Sequence, residues 1–93
     1  MIRSWSNDEA RKVFIGARSR RLPPDIQRTA QRKLAMLNAA IRLDDLRVPP
    51  SNRLEKLGGD RSGEWSIRIN LQWRVCFNWD GNAYDVEIVD YHD

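Results

Sequence analysis

Apolar residues recur at helical spacing in the first half of the chain and at every second position from residue 53 onward. That change of period limits the chain to helices first and strands second. Ser6 or Asn7 can cap a helix whose first turn holds Asp8 and Glu9, acids suited to the positive helix end. Such a helix, about residues 8–18, places Ala10, Val13, Phe14 and Ala17 on one stripe. Leu22-Pro23-Pro24 interrupts it, and proline is tolerated in the first turn of a new helix. A second helix, about residues 24–43, carries Ile26, Ala30, Leu34, Leu37 and Ile41 at helical spacing, with Arg28, Arg32 and Lys33 toward other faces.

The second half alternates. Trp65, Ile67 and Ile69 share one face, and Ser66 and Arg68 the other. After a turn at Asn70-Leu71-Gln72 the apolar face resumes with Trp73, Val75 and Phe77, opposite Arg74 and Cys76. Asp80-Gly81-Asn82 is a hairpin signal, since these residues tolerate positive φ. The last strand then sets Tyr84, Val86 and Ile88 on one face and Asp85, Glu87, Val89 and Tyr91 on the other. Leu54 and Leu57 belong to a further short strand, and Met1–Trp5 alternates as an edge strand does. The expected architecture is α+β, with two N-terminal helices packed on a small antiparallel sheet. The sheet's other face, exposed and carrying Arg68, Arg74, Glu87 and Tyr91, is left for function.

Ninety-three residues suit one domain, 1–93. One cysteine allows no internal disulfide, and no Cys/His cluster suggests a metal, so neither metal nor cofactor is expected. Cys76 reads as a small buried filler. Without a long apolar stretch or a secretory signal the chain is expected in the cytoplasm, away from membranes. Net charge is only +3, but residues 1–43 hold ten Lys/Arg against three acids, and residues 80–93 hold five acids and no Lys/Arg. Thirteen of the 16 basic residues are Arg, whose planar fork binds phosphate bidentately. A polyanionic partner and a merely solvated basic helix surface both fit this pattern.

Cleavage of RNA without a metal needs a base for the 2′-OH proton, an acid for the leaving 5′ oxygen and a cation for the charged phosphorane. His92, the only histidine, titrates near neutral pH. Asp90 can orient it or transfer a proton itself, Tyr91 can stack on a base, and Arg74 can meet the phosphate. Each also has a plain structural reading: His92 as a solvated terminal side chain, Arg74 as an ion-pair partner.

Residues 52–70 include Leu57-Gly58-Gly59-Asp60-Arg61-Ser62-Gly63-Glu64-Trp65-Ser66-Ile67. With Trp73-Arg74-Val75-Cys76-Phe77 and the closing Asp90-Tyr91-His92, this run resembles HigB-type toxins of the RelE/ParE superfamily over nearly the whole chain. The resemblance implies a RelE-like fold and an mRNA endoribonuclease acting in the ribosomal A site, by 2′-OH attack on the adjacent phosphate. It implies a HigA-type helix-turn-helix antitoxin as partner, with operator DNA met only through that antitoxin. Asp90, Tyr91 and His92 match the family's terminal catalytic group, Arg74 its phosphate-contacting arginine, and Gln72 a polar site position often held by Asn. Glu55 stands where His can occur and Gly58 where Lys can occur. Glu55 then either serves as the base, with Lys56 replacing the missing charge, or is a solvent-facing strand residue. Arg61, like Asp60 beside it, either fixes a turn and an ion pair or contacts rRNA. Arg68 is a further phosphate-binding candidate. Two alternatives remain open: a ParE-like gyrase poison, and a catalytically weakened toxin acting mainly as an antitoxin-binding partner.

Overall fold

A computed structural model describes residues 1–91. Helix α1 (Asp8–Phe14) and helix α2 (Pro24–Ala39) precede four strands: β1 (Glu55–Lys56), β2 (Trp65–Arg68), β3 (Trp73–Trp79) and β4 (Ala83–Asp90). The strands form one antiparallel sheet in the order β1-β2-β3-β4, the expected meander. Helix α1 begins where the side chain of Asn7 accepts a hydrogen bond from the Glu9 amide. It ends four residues earlier than the periodicity suggests. Gly16 at φ 85° turns the chain, the Gly16 amide donates to the Val13 carbonyl and the Ala17 amide to that of Lys12. These paired bonds form a Schellman cap, and Ala17, expected on the buried stripe, is exposed.

Helix α2 also stops short of its expected end. Ala40 leaves it in extended conformation, and the Asp45 carboxylate accepts the amides of Ile41 and Arg42, opening a 3₁₀ turn at Leu43–Arg47. Ile41 is consequently 83% exposed, whereas Ile26, Ala30, Leu34 and Leu37 are buried. The helices cover one face of the sheet, where they meet Ile67, Val75, Phe77, Ala83, Val86 and Ile88. Leu34, Leu37, Ile67, Val75, Phe77 and Val86 are fully buried, and burying such side chains contributes about 1.5–3 kcal/mol each.

The face assignment of β4 departs from simple alternation. Cys76 pairs with Glu87 but Asn78 pairs with Tyr84, so β4 carries one extra residue, a bulge at Asp85 with φ 52°. Aspartate tolerates this left-handed conformation better than most residues. The Asp85 amide donates to Ser4 Oγ at 2.8 Å, and Ser6 Oγ donates to its carbonyl at 3.0 Å. The bulge puts Tyr84 across the sheet from Val86 and gives Ala83 its place in the core. Residues 1–6 lie beside β4 through isolated parallel bridges, Ile2 to Ala83 and Trp5 to Val86, instead of a full edge strand. The expected strand around Leu54 and Leu57 contracts to Glu55–Lys56, although the Leu57 amide still donates to the Glu64 carbonyl at 2.8 Å.

Candidate active site

The strand register decides which polar side chains meet. Glu55 lies opposite Ser66, Ser66 opposite Cys76, and Arg68 opposite Arg74, which in turn faces Val89. All of these share the sheet face away from the helices. Two residues beyond Val89 the same face receives Tyr91, whose amide donates to the Gln72 carbonyl at 2.7 Å. The Arg74 guanidinium carbon stands 4.3 Å from the centre of the Tyr91 ring, a cation–π contact. Arg74 Nη1 donates to Glu55 Oε2 at 3.0 Å and to Ser66 Oγ at 3.2 Å.

Arg74 was expected on an exposed face and is instead buried, its side chain 5% exposed against 47% for Glu55. The segment between β1 and β2 lies on the same face of the sheet. Its 3₁₀ turn Gly59–Arg61 folds back over the sheet, and Arg61 Nη1 donates to Glu87 Oε1 at 2.6 Å and to Glu64 Oε1 at 3.3 Å. The hydrogen bond from Arg61 to Glu87 holds the Arg61 guanidinium above the ordinary arginine range. Arg61 thus occupies the ion-pair alternative, and the turn itself closes through backbone bonds from the Arg61 and Ser62 amides to Gly58 and Gly59. Beneath lies Cys76, fully buried, its thiol pushed up to about 11 by desolvation. A thiol so protonated is no nucleophile at neutral pH.

The remaining candidates take different places. Asp90 is exposed and lies opposite Trp73, on the other sheet face from Tyr91, where Gln72 Nε2 donates to both of its carboxylate oxygens at 3.1 Å. Gln72 is itself positioned by the turn, since Asn70 Oδ1 accepts the amides of Gln72 and Trp73. Lys56 is exposed, its ammonium 5.9 Å from the centre of the Trp65 ring. Arg68 is half-buried, and its Nε has no hydrogen-bond partner among the described residues. His92 lies outside the described residues. The structure therefore gathers Glu55, Arg74 and Tyr91 and adds Ser66, which sequence reasoning missed as a site residue. Its polar-face position was legible, but its role needed the β1–β2–β3 register.

The arrangement offers a desolvated cation flanked by a half-exposed carboxylate, a hydroxyl and a phenol ring. Water screens such a cation less than it screens a surface charge, so its field on an incoming anion is stronger. A meander backed by two N-terminal helices, with an arginine-centred polar cluster on its open face, has the architecture of the small RelE-like toxins. Residues 4–92 match the family described as HigB-like toxin, RelE-like toxin of type II toxin-antitoxin systems, and the chain belongs to that family. It is 48% identical over 67 residues to Toxin HigB-1 of Vibrio cholerae, covering 71% of this chain and 70% of that protein. It is 31% identical over 94 residues to Endoribonuclease HigB of Proteus vulgaris, covering 99% and 100%. A type II toxin is paired with an antitoxin, so an antitoxin is a partner of this chain. None of its described helices is long and apolar enough to cross a membrane.

Proposed function

We propose that this toxin is an endoribonuclease that cleaves mRNA in the ribosomal A site, restrained by a HigA-type helix-turn-helix antitoxin that carries it to operator DNA. The cluster of Glu55, buried Arg74 and Tyr91 supports this reading most directly. In the proposed reaction the 2′ oxygen attacks the adjacent phosphorus and the bond to the 5′ oxygen breaks, leaving a 2′,3′-cyclic phosphate and a 5′-hydroxyl. Glu55, half-exposed beside Arg74, takes the 2′-OH proton, and His92 protonates the departing 5′ oxygen. Arg74 stabilises the phosphorane charge, and loss of one such contact commonly costs on the order of 10²-fold in rate. Tyr91 stacks on a base while holding the guanidinium, and Asp90 steadies the terminal strand through Gln72. Lys56 and Arg68 supply further contacts for RNA phosphates, while Arg61 stays engaged by Glu87 and Glu64.

The deciding experiment programmes purified ribosomes with a defined mRNA and maps the RNA ends after adding the toxin. Cuts in phase with the A-site codon, bearing cyclic phosphate ends and absent with Arg74→Ala or His92→Ala, are expected. Growth arrest without RNA cuts, accompanied by DNA breaks, would point instead to a gyrase poison. The ion pair between Arg74 and Glu55 favours one second reading, a weakened toxin whose cation is already satisfied internally and which serves mainly as an antitoxin ligand. Wild-type protein that binds antitoxin but cuts nothing would establish it.

A further inference from the structure

Beside the end of β2, where β1 has already finished, a groove of about 510 Å³ opens between α2, the segment around Arg53 and the β2–β3 turn. Arg32, Lys33, Arg53 and Arg68 line it together with the neutral polar residues Thr29, Ser51 and Asn70, and no Asp or Glu is among its lining residues. None of the four cations takes part in an ion pair among the described residues. Two of the four are poorly compensated for structural reasons. Lys33 is only 6% exposed, and its ammonium donates to Asn52 Oδ1, a neutral oxygen. Arg68 keeps a buried Nε without a partner. Four like charges around one concavity repel each other, so the apo fold bears a cost that an anion would relieve.

We propose that this groove is a second phosphate-binding site, separate from the Arg74 cluster, that holds the RNA backbone next to the cleaved linkage. The proposal rests on the endoribonuclease reading and extends it. An RNA strand is favoured over an acidic peptide because of continuity: Arg68 in the groove is the register partner of Arg74 in the active cluster. Paired residues on neighbouring strands stand about 5 Å apart. Two arginines directly opposite each other would otherwise be unfavourable. Their side chains diverge, Arg74 toward Glu55 and Tyr91, Arg68 toward the groove, so a strand whose phosphate rests on Arg74 runs on into the groove. Three of the four cations are arginines, which grip phosphate with two parallel hydrogen bonds.

The test uses the full chain and a short single-stranded RNA with 2′-O-methyl sugars, which cannot be cut. Binding is followed by fluorescence anisotropy between about 50 and 200 mM salt. Arg32 and Arg53 are exposed, so the double variant Arg32→Gln/Arg53→Gln leaves the core untouched. It is expected to bind on the order of tenfold more weakly, with a salt slope shallower by about 1.4, the value for two lost single-strand phosphate contacts. Arg3→Gln/Arg20→Gln, an equal loss of charge at exposed positions outside the groove, is expected to keep the wild-type slope. An unchanged slope in the groove variant overturns the proposal, as does a poly-glutamate peptide that binds wild type more tightly than the RNA and loses that binding in the same variant. The two readings fail separately. Wild-type cleavage on ribosomes together with an unaffected groove variant removes only the groove, while groove-dependent RNA binding without any cleavage removes only the catalytic assignment.

Discussion

Replacing Glu55 by Gln separates catalysis from support of Arg74 within one side chain. Glutamine keeps an oxygen where Arg74 Nη1 now finds Glu55 Oε2 at 3.0 Å, and it removes only the charge. Arg74 is 5% exposed but Glu55 is 47% exposed, so water screens the pair from one side. A fully buried pair broken at one end costs about 3–5 kcal/mol, and an exposed one contributes less than about 1. With the hydrogen bond retained, the expected loss of stability is about 1 kcal/mol, or about 4–8 °C in Tm for a domain of this size. Losing a general base costs about 10²–10⁴ in rate, roughly 3–5.5 kcal/mol of barrier. The two quantities are far enough apart to be read independently, by urea unfolding and by single-turnover cleavage on programmed ribosomes. The expected result is a mildly destabilised protein cleaving at least a hundredfold more slowly. A variant that cleaves within threefold of wild type, while Arg74→Ala is inactive, would falsify Glu55 as the base and leave it as a tether for Arg74.

Three further outcomes follow from the same structure. Tyr91→Ala removes the ring 4.3 Å from the Arg74 guanidinium and is expected to cost about 1 kcal/mol of stability along with cleavage. Tyr91→Phe keeps the stack and is expected to hold that stability, so equal losses in both variants would refute a stacking role. Gly16→Ala forces a side chain into φ 85° at the end of α1 and is expected to lower stability by about 1–2 kcal/mol in urea melts, although its Cβ would meet nothing closer than Gln31 Nε2 at 3.5 Å. For Cys76 the folded thiol titrates at about 11 against 9.0 unexposed to the fold, so the folded state keeps its proton longer. Stability from this group is complete below pH 9 and is lost as pH rises toward 11, by about 1.4 kcal/mol per unit at most. Cys76→Ala is expected to flatten that decline, and an unchanged alkaline profile would contradict the assignment.

The helical and strand halves were legible because each buries one face, and burial imposes its period directly on the sequence. The stripe Ile26, Ala30, Leu34, Leu37 and the alternation through Ile67, Val75 and Phe77 are that imprint. Helix ends were less legible. Ala17 and Ile41 continue the apolar spacing, but a glycine at positive φ and the Asp45 carboxylate end the helices before either residue reaches the core. The bulge at Asp85 left no periodic trace either, since its single extra residue depends on hydroxyls from Ser4 and Ser6 about eighty positions away.

Much the same division holds for the candidate site. The sequence by itself determined the order of elements, the family signature and the polar face on which Arg74 and Tyr91 fall, because those are local properties of period and residue type. Only the tertiary structure decided that Arg74 is buried, that Glu55 and Ser66 are its partners, that Arg61 is held by Glu87 and Glu64, and that Gln72 meets Asp90. These pairings join strands and loops distant in the chain. Their energies depend on separations of about 3 Å and on the water excluded around them, quantities that a strand register fixes and a linear pattern of residues does not.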